Sequence, residues 1–203
     1  MRGVHFPAMN YADLYNDLYS TDYQTKVCNT LGLFPLLKAH APNRVRILDM
    51  GCSIGTAVRK LTKEGYDAYG VDLSRVAIEK CTEKGIGNCF ENCLTDTDFS
   101  DGFFDAVISS DTLEHIDPKK VNEAILEIKR VTTSGGVVIL SIATKRERRR
   151  RWGEILKRHG TNTLHPTLLP TDEWRKRLSE RFELVEQIKG ENEQARFVLR
   201  RGH

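Results

Sequence analysis

The sequence predicts an α/β domain built on a doubly wound, mostly parallel sheet with helices on both faces. Three observations lead there. Short apolar runs alternate with segments of helical periodicity from residue 45 onward. The run Gly135–Ile142 (GGVVILSI) is continuously apolar, as in strands buried on both faces of a parallel sheet. Right-handed crossovers between parallel strands then place helices on either side. With 203 residues and no repeat, Pro-rich linker or low-complexity tract, the chain reads as one domain with its own core.

The elements follow in order. Near the N-terminus Tyr11, Tyr15, Tyr19 and Tyr23 lie four apart, so on a helix they share one face that drifts by about 40° per step. Such a face either packs on the domain with its hydroxyls at the rim or covers a ligand cleft. Val45–Met50 is a first strand ending in Gly51, and Thr56–Glu64 has helical spacing, stopped by Gly65. Tyr66–Val71 is a second strand closed by Asp72, and Ser74 caps a helix through Lys84. Ile86–Cys93 and Phe103–Ser109 supply two more strands. A helix starting at Pro118 buries Val121, Ile125, Ile128 and Val131, and Gly135–Ile142 follows as the fifth strand. Thr171 opens a last helix, and Phe182–Ile188 with Ala195–Arg200 form a terminal hairpin.

Composition narrows the class. Apolar residues are 39% and charged residues 29%, which excludes a membrane-embedded or disordered chain. No apolar run approaches the roughly 20 residues that span a bilayer, and Met1–Asn10 lacks a signal-peptide core, so a cytoplasmic location is expected. The five cysteines are an odd count in a domain that needs no disulfides, and reduced thiols are expected. Cys81, Cys89 and Cys93 match no standard zinc knuckle, and no metal site is expected. The net charge of +3 is uneven: Lys145–Arg158 holds eight basic and two acidic side chains, a local +6 on a body that sums to −3. Most charge runs are solvated helix faces, but this one follows strand five directly, at the edge of the sheet where ligands bind. Arginines there suit phosphate, carboxylate or a nucleic-acid backbone.

In doubly wound sheets ligands sit beyond the carboxyl ends of the strands, beside the first strand. Here that place holds Asp49-Met50-Gly51-Cys52-Ser53-Ile54-Gly55. Its glycines permit a tight turn, and the next helix points free N–H groups at whatever lies there. Asp72, 21 residues after Gly51, is placed for both hydroxyls of a ribose. A nicotinamide-cofactor pattern starting at Gly51 wants glycines at 53 and 56 and finds Ser53 and Thr56. Asp49 argues against it too, since a carboxylate repels pyrophosphate and favours a cationic group.

The loop resembles motif I of the class I S-adenosylmethionine-dependent methyltransferases, roughly Leu-Asp-x-Gly-x-Gly-x-Gly, through Leu48, Asp49, Gly51 and Gly55, with Ser53 in place of the middle glycine. Gly70-Val71-Asp72-Leu73-Ser74 resembles the family's second-strand end, and Phe103–Ser110 its fourth-strand motif. Leu113-Glu114-His115 is similar to its Leu-Glu-His signature, and Leu126–Val131 with Gly135-Gly136 to the helix and turn before strand five. The resemblance spans about 45–200 and implies seven strands in the order 3-2-1-4-5-7-6 with strand 7 antiparallel.

It implies S-adenosyl-L-methionine as cofactor and S-adenosyl-L-homocysteine as product. Asp49, Gly51, Cys52, Ser53 and Gly55 would hold the amino-acid end, Asp72 the ribose, and Leu73 with Leu94 would flank the adenine. The family's adenine-binding acid falls on Cys93; either Cys93 takes its place, a slipped loop brings in Asp96, or the Leu94 N–H serves. Ser109 and Asp111 are expected near the transferred methyl. Residues 1–42 would form a helical lid in which Tyr15 or Tyr19 lines the pocket. Residues 43–144 would be the cofactor half, and 145–203 would bring the basic loop with Arg149, the last helix with Trp174, and the hairpin. His165 lies in a long polar loop with no core periodicity and is the first choice for a base or acceptor anchor, with His115 as the second; a packed or capping role competes for both. The expected reaction is methyl transfer to a small, anionic or sugar-like acceptor. RNA methylation through Arg146–Arg151 is one alternative, and a non-catalytic binding module that keeps the fold is another. The oligomeric state is not legible.

Overall fold

The computed structural model describes residues 10–21, 29–41, 45–144, 153–161, 163–189 and 194–202. Its strands are β1 (Arg46–Met50), β2 (Asp67–Asp72), β3 (Cys89–Glu91), β4 (Phe104–Ser110), β5 (Thr132–Ala143), β6 (Glu183–Lys189) and β7 (Gln194–Arg200). They form one sheet in the order β3-β2-β1-β4-β5-β7-β6. The pairs among β1 to β5 are parallel, and β7 runs antiparallel to both β5 and β6. The doubly wound fold and its strand order are those the sequence implies.

The described helices are α1 (Tyr11–Tyr19), α2 (Phe34–His40), α3 (Thr56–Lys63), α4 (Arg75–Glu83), α5 (Val121–Val131), α6 (Gly153–Arg158) and α7 (Thr171–Ser179). Alternation along the strands separates two cores. Leu48, Met50, Val107, Val138, Leu140, Phe197 and Leu199 face α5 and α7. Ile47, Ala106, Ile108, Val137, Ile139 and Val198 face α2, α3 and α4. Neither face of the central strands meets water, so their sequences are apolar throughout rather than alternating.

Boundaries differ from the sequence reading where backbone pairing outruns the apolar pattern. β5 begins at Thr132 instead of Gly135 because Phe104 pairs with Thr132 across an irregularity in β4. β3 shrinks to Cys89–Glu91, the three residues paired to β2. The helix expected at Pro118 begins at Val121; Asp117 accepts hydrogen bonds from the N–H groups of Lys119, Lys120 and Val121 in a preceding turn.

Trp174 departs from its expected role. It is 0% exposed and packs with Leu178 and Phe182 into the core beside α5. Its place on α7 sets this: the apolar face of a short helix with few other large residues must turn inward. Trp174→Ala is expected to cost about 3–5 kcal/mol through the cavity it leaves. Urea unfolding checks this, and a loss below 1 kcal/mol would mean that the indole is not a core side chain.

Candidate functional site

The carboxyl ends of β1 and β2 build the first part of the site. Asp49, the fourth residue of β1, is 1% exposed, and neither carboxylate oxygen has a hydrogen-bond partner. Burial, with the nearby Asp72 and Cys81, pushes its pKa up to about 8. Asp72, the last residue of β2, accepts from the Ser53 N–H at 2.9 Å and the Ser74 N–H at 3.0 Å. Burial still raises it to about 6, against those backbone hydrogen bonds. A carboxylate has about four lone-pair sites, so these bonds leave acceptor capacity on Asp72 for a ligand hydroxyl.

The loop between β1 and α3 turns through three left-handed residues: Gly51 (φ 84°), Ser53 (φ 53°) and Gly55 (φ 73°). Ser53 therefore adopts the conformation of the glycine it replaces, at a cost of about 1–2 kcal/mol. A side chain on Gly51 would collide with Thr112, and one on Gly55 would meet the Cys81 and Cys89 sulfurs at 3.0 and 3.1 Å. Beneath the loop the thiols of Cys52 and Cys81 both donate to the Ser53 carbonyl, at 3.6 and 3.5 Å, and Cys89 is buried in the same core cluster. Cys93, grouped with Cys81 and Cys89 by spacing, stays apart: it is exposed beyond β3, its thiol 3.1 Å from the Thr95 hydroxyl. Leu73 and Leu94 are half-buried, and Leu94 packs against the core on the α5 side.

Helix α1 lies across the start of α4. Asn16 Oδ1 accepts from the Ser74 hydroxyl at 2.8 Å and the Val76 N–H at 3.2 Å, and Lys80 donates to the Tyr19 carbonyl. Tyr19 itself is buried against Ile54 and Ala77. On its other side α1 meets α6: Leu14 and Leu18 pack with Leu156 and Leu164, and Asp17 pairs with Arg158 and His159 at 2.9 Å each.

The second part of the site gathers at the end of β4. Tyr15 from α1 places its hydroxyl 2.6 Å from His115 Nδ1, and the His115 and His165 rings meet edge to face, 4.6 Å between centroids. Burial and His165 lower the His115 pKa to about 3, against a hydrogen bond to the Leu164 carbonyl, so the ring is neutral. Glu114 is 0% exposed; its Oε1 accepts from the Ala143 N–H at 2.8 Å, and burial with Asp111 raises it to about 8. Asp111 (φ 52°) accepts from the Gln194 side chain at 2.6 Å.

Tyr15, His115 and His165 are in contact, and Asp111 lies in the same segment after β4, at the same end of the sheet as Asp49 and Asp72. Two expected residues do not line it. The Ser109 hydroxyl is committed to the Met50 carbonyl at 2.7 Å, tying β4 to β1, and Trp174 is in the core. Arg149 and the basic run through Trp152 lie outside the described residues. Sequence reasoning missed the Glu114 side chain, Thr112, Asn16 and Gln194. Glu114 was visible as the acid of Leu-Glu-His, whereas Asn16 and Gln194 act across the fold and carry no local signal.

The cofactor-free protein should report the Asp49 proton. A carboxyl whose pKa rises on folding keeps its proton, so its stabilising contribution is complete below 3.8 and lost as pH rises towards about 8. Asp49→Asn, neutral at every pH, is expected to gain on the wild type across that window. Urea midpoints at successive pH values check this; parallel curves would show that folding leaves the Asp49 titration unchanged.

Residues 48–140 match the family described as methyltransferase domain. The chain is 33% identical over 103 residues to a ubiquinone biosynthesis O-methyltransferase of Methylococcus capsulatus, covering 47% of this chain and 42% of that one. It is 32% identical over 123 residues to a carboxy-S-adenosyl-L-methionine synthase of Campylobacter fetus, covering 56% and 51%. It therefore spans about half the length of these curated relatives. Among solved structures, the PH0226 protein of Pyrococcus horikoshii superposes with a TM-score of 0.71 at 21% identity, covering 92% of this chain and 94% of that one. The 1,6-didemethyltoxoflavin-N1-methyltransferase of Burkholderia thailandensis gives 0.72 at 15%, covering 98% and 94%. With the Asp49–Gly55 loop, the second-strand aspartate and the seven-stranded order in place, residues 48–140 are similar to the methyltransferase-domain family, and the whole fold is the one its solved S-adenosylmethionine-dependent members share.

Proposed function

We propose that this chain transfers a methyl group from S-adenosylmethionine to a hydroxyl of a small acceptor, anionic or sugar-like, in the cytoplasm. The observation that carries the cofactor half is Asp49: a buried carboxyl with two unpartnered oxygens, beside a loop of left-handed residues, suits a cationic ligand. Gly51 to Gly55 cradle its amino-acid end, Asp72 takes the ribose, and Leu73 and Leu94 flank the adenine, with Cys93 or Asp96 at its rim. The cofactor supplies a methyl group already activated on a sulfonium.

The protein's contribution is then placement of the acceptor, worth several kcal/mol, about 7–11 where geometry is ideal. α1 acts as a lid, held by Asn16 and Asp17, and hands Tyr15 to the acceptor pocket. A ring with a pKa near 3 is a poor proton acceptor, so His115 orients the Tyr15 hydroxyl rather than serving as base. His165 anchors the acceptor oxygen. The names of two relatives, the ubiquinone biosynthesis enzyme and a tocopherol O-methyltransferase of Arabidopsis thaliana, support an oxygen nucleophile. The run Lys145–Trp152, which joins β5 to α6 in sequence, supplies the cations for an anionic acceptor.

Thermal melting with S-adenosylhomocysteine at about 100 times its Kd is expected to add about 2.7 kcal/mol, a shift of about 5–10 °C, and Asp72→Ala should lose most of it. No wild-type shift at millimolar ligand would overturn the cofactor assignment. For the acceptor, transfer of labelled methyl to extracted metabolites is expected, and His165→Ala should lower kcat at least tenfold. Labelling confined to RNA, with salt-sensitive binding abolished by charge reversal at Arg146–Arg151, would replace the small acceptor by RNA.

A further inference from the structure

We propose that Glu114, His115 and His165 form a binding site for one zinc-like divalent ion, which completes its coordination with an oxygen of the acceptor. Each residue offers one ligand atom, and these atoms lie within 4.8 Å of one another. Two imidazoles and a carboxylate are a donor set that zinc takes in sites with a position left open. Magnesium and calcium prefer shells of oxygen.

The constellation is assembled from two parts of the chain. Glu114 and His115 belong to the short 3-10 turn Leu113–His115 that follows β4. His165 comes from the segment between α6 and α7, stapled to that turn by Thr167: its N–H donates to the Glu114 carbonyl at 3.1 Å and its hydroxyl to the Ile116 carbonyl at 2.6 Å. The Glu114 carboxylate is half committed. Oε1 is fixed by the Ala143 N–H, while Oε2 is buried with no hydrogen-bond partner. A buried unpaired oxygen is costly in a closed hydrogen-bond network and is what an oriented metal ligand presents before the ion arrives.

Zinc bonds of about 2.0–2.1 Å set tetrahedral donors about 3.3 Å apart, so the three side chains draw together by up to about 1.5 Å on binding. His115 exchanges one present hydrogen bond, to the Tyr15 hydroxyl or the Leu164 carbonyl, for the metal bond. The acceptor role rests on the hydroxyl-methylation reading above and refines it. With the ion in place His165 holds that oxygen through the metal. The ion acidifies the coordinated hydroxyl, whose proton passes to solvent.

The test is calorimetric titration of chelator-treated, full-length protein with zinc chloride, with magnesium chloride in a parallel titration. One zinc per chain and no magnesium uptake are expected. His165→Ala and, separately, Glu114→Gln should each weaken zinc binding at least about tenfold while keeping the thermal shift with S-adenosylhomocysteine. If Glu114→Gln does not fold, His165→Ala decides. Cobalt(II) substitution should give a spectrum without thiolate charge transfer. No stoichiometric zinc uptake, or uptake unchanged in His165→Ala, overturns the site. So does a thiolate band, which would locate the ion at the cysteines. The cofactor shift of the wild type is read separately, so loss of the methyltransferase reading is not confused with loss of the zinc site.

Discussion

Two carboxyl groups share a buried corner where β1 and β2 end, and much of the surrounding structure is arranged around them. Asp49 receives no hydrogen bond, while Asp72 receives two from backbone N–H groups. Two ionised carboxylates in such a place would repel each other with little solvent to screen them. The protein resolves this by retaining a proton: both pKa values lie above the usual carboxylate range, Asp49 more so. The corner is therefore poised for a positive ligand. An ammonium or sulfonium that enters replaces the proton and lets the carboxylate ionise against a partner it otherwise lacks.

That corner is useful only if the loop between the carboxylates holds one shape. Gly51, Ser53 and Gly55 turn left-handed in succession, and each is braced from outside the loop. Thr112 sits where a Gly51 side chain would be, the Ser53 N–H is taken by Asp72, and two thiols press against Gly55. The brace from Thr112 matters beyond packing. It links the cofactor loop to the segment after β4, which also carries Asp111, Glu114 and His115.

The legible parts of the molecule were those written in local sequence. The strands β1, β2 and β4, the Ser74 cap and the stripe of Val121, Ile125, Ile128 and Val131 follow from periodicity and capping chemistry, and all four stripe residues are buried. The Asp49–Gly55 loop, Asp72 and the Leu113–His115 turn are recognisable in sequence because their residues are contiguous or follow a strand end. The rest depends on partners far apart in the chain. Nothing near Trp174 in sequence says that α7 turns it inward, and nothing near Asn16 says that it meets Ser74, 58 residues away. The thiols were grouped by spacing as Cys81, Cys89 and Cys93. The fold instead joins Cys52 to the first two, because β1 and β3 flank β2 on either side.

The acceptor side is built on a different logic from the cofactor side. Asp49 and Asp72 end strands of the central sheet, where neighbouring backbone leaves little freedom. Tyr15 comes from α1 and His165 from the segment after α6, and both reach the sheet through His115 at the end of β4. These outer pieces also hold each other: α1 and α6 share the Leu14, Leu18, Leu156 and Leu164 cluster and the Asp17 ion pairs. Exposed ion pairs contribute little, so the apolar cluster is what keeps the two outer pieces together. The consequence is a division of labour. The Asp49–Asp72 corner is fixed by the sheet, while the cluster around His115 is closed by two outer segments that can change their residues without disturbing a strand. Glu114 and His115, in the turn that closes β4, are tied directly to the sheet through the Glu114 hydrogen bond to the end of β5, and Asp111 before them through Ser141 of β5 and Gln194 of β7. Any chemistry common to different acceptors is therefore expected to reside in that turn, and discrimination between acceptors in α1 and the segment that carries His165.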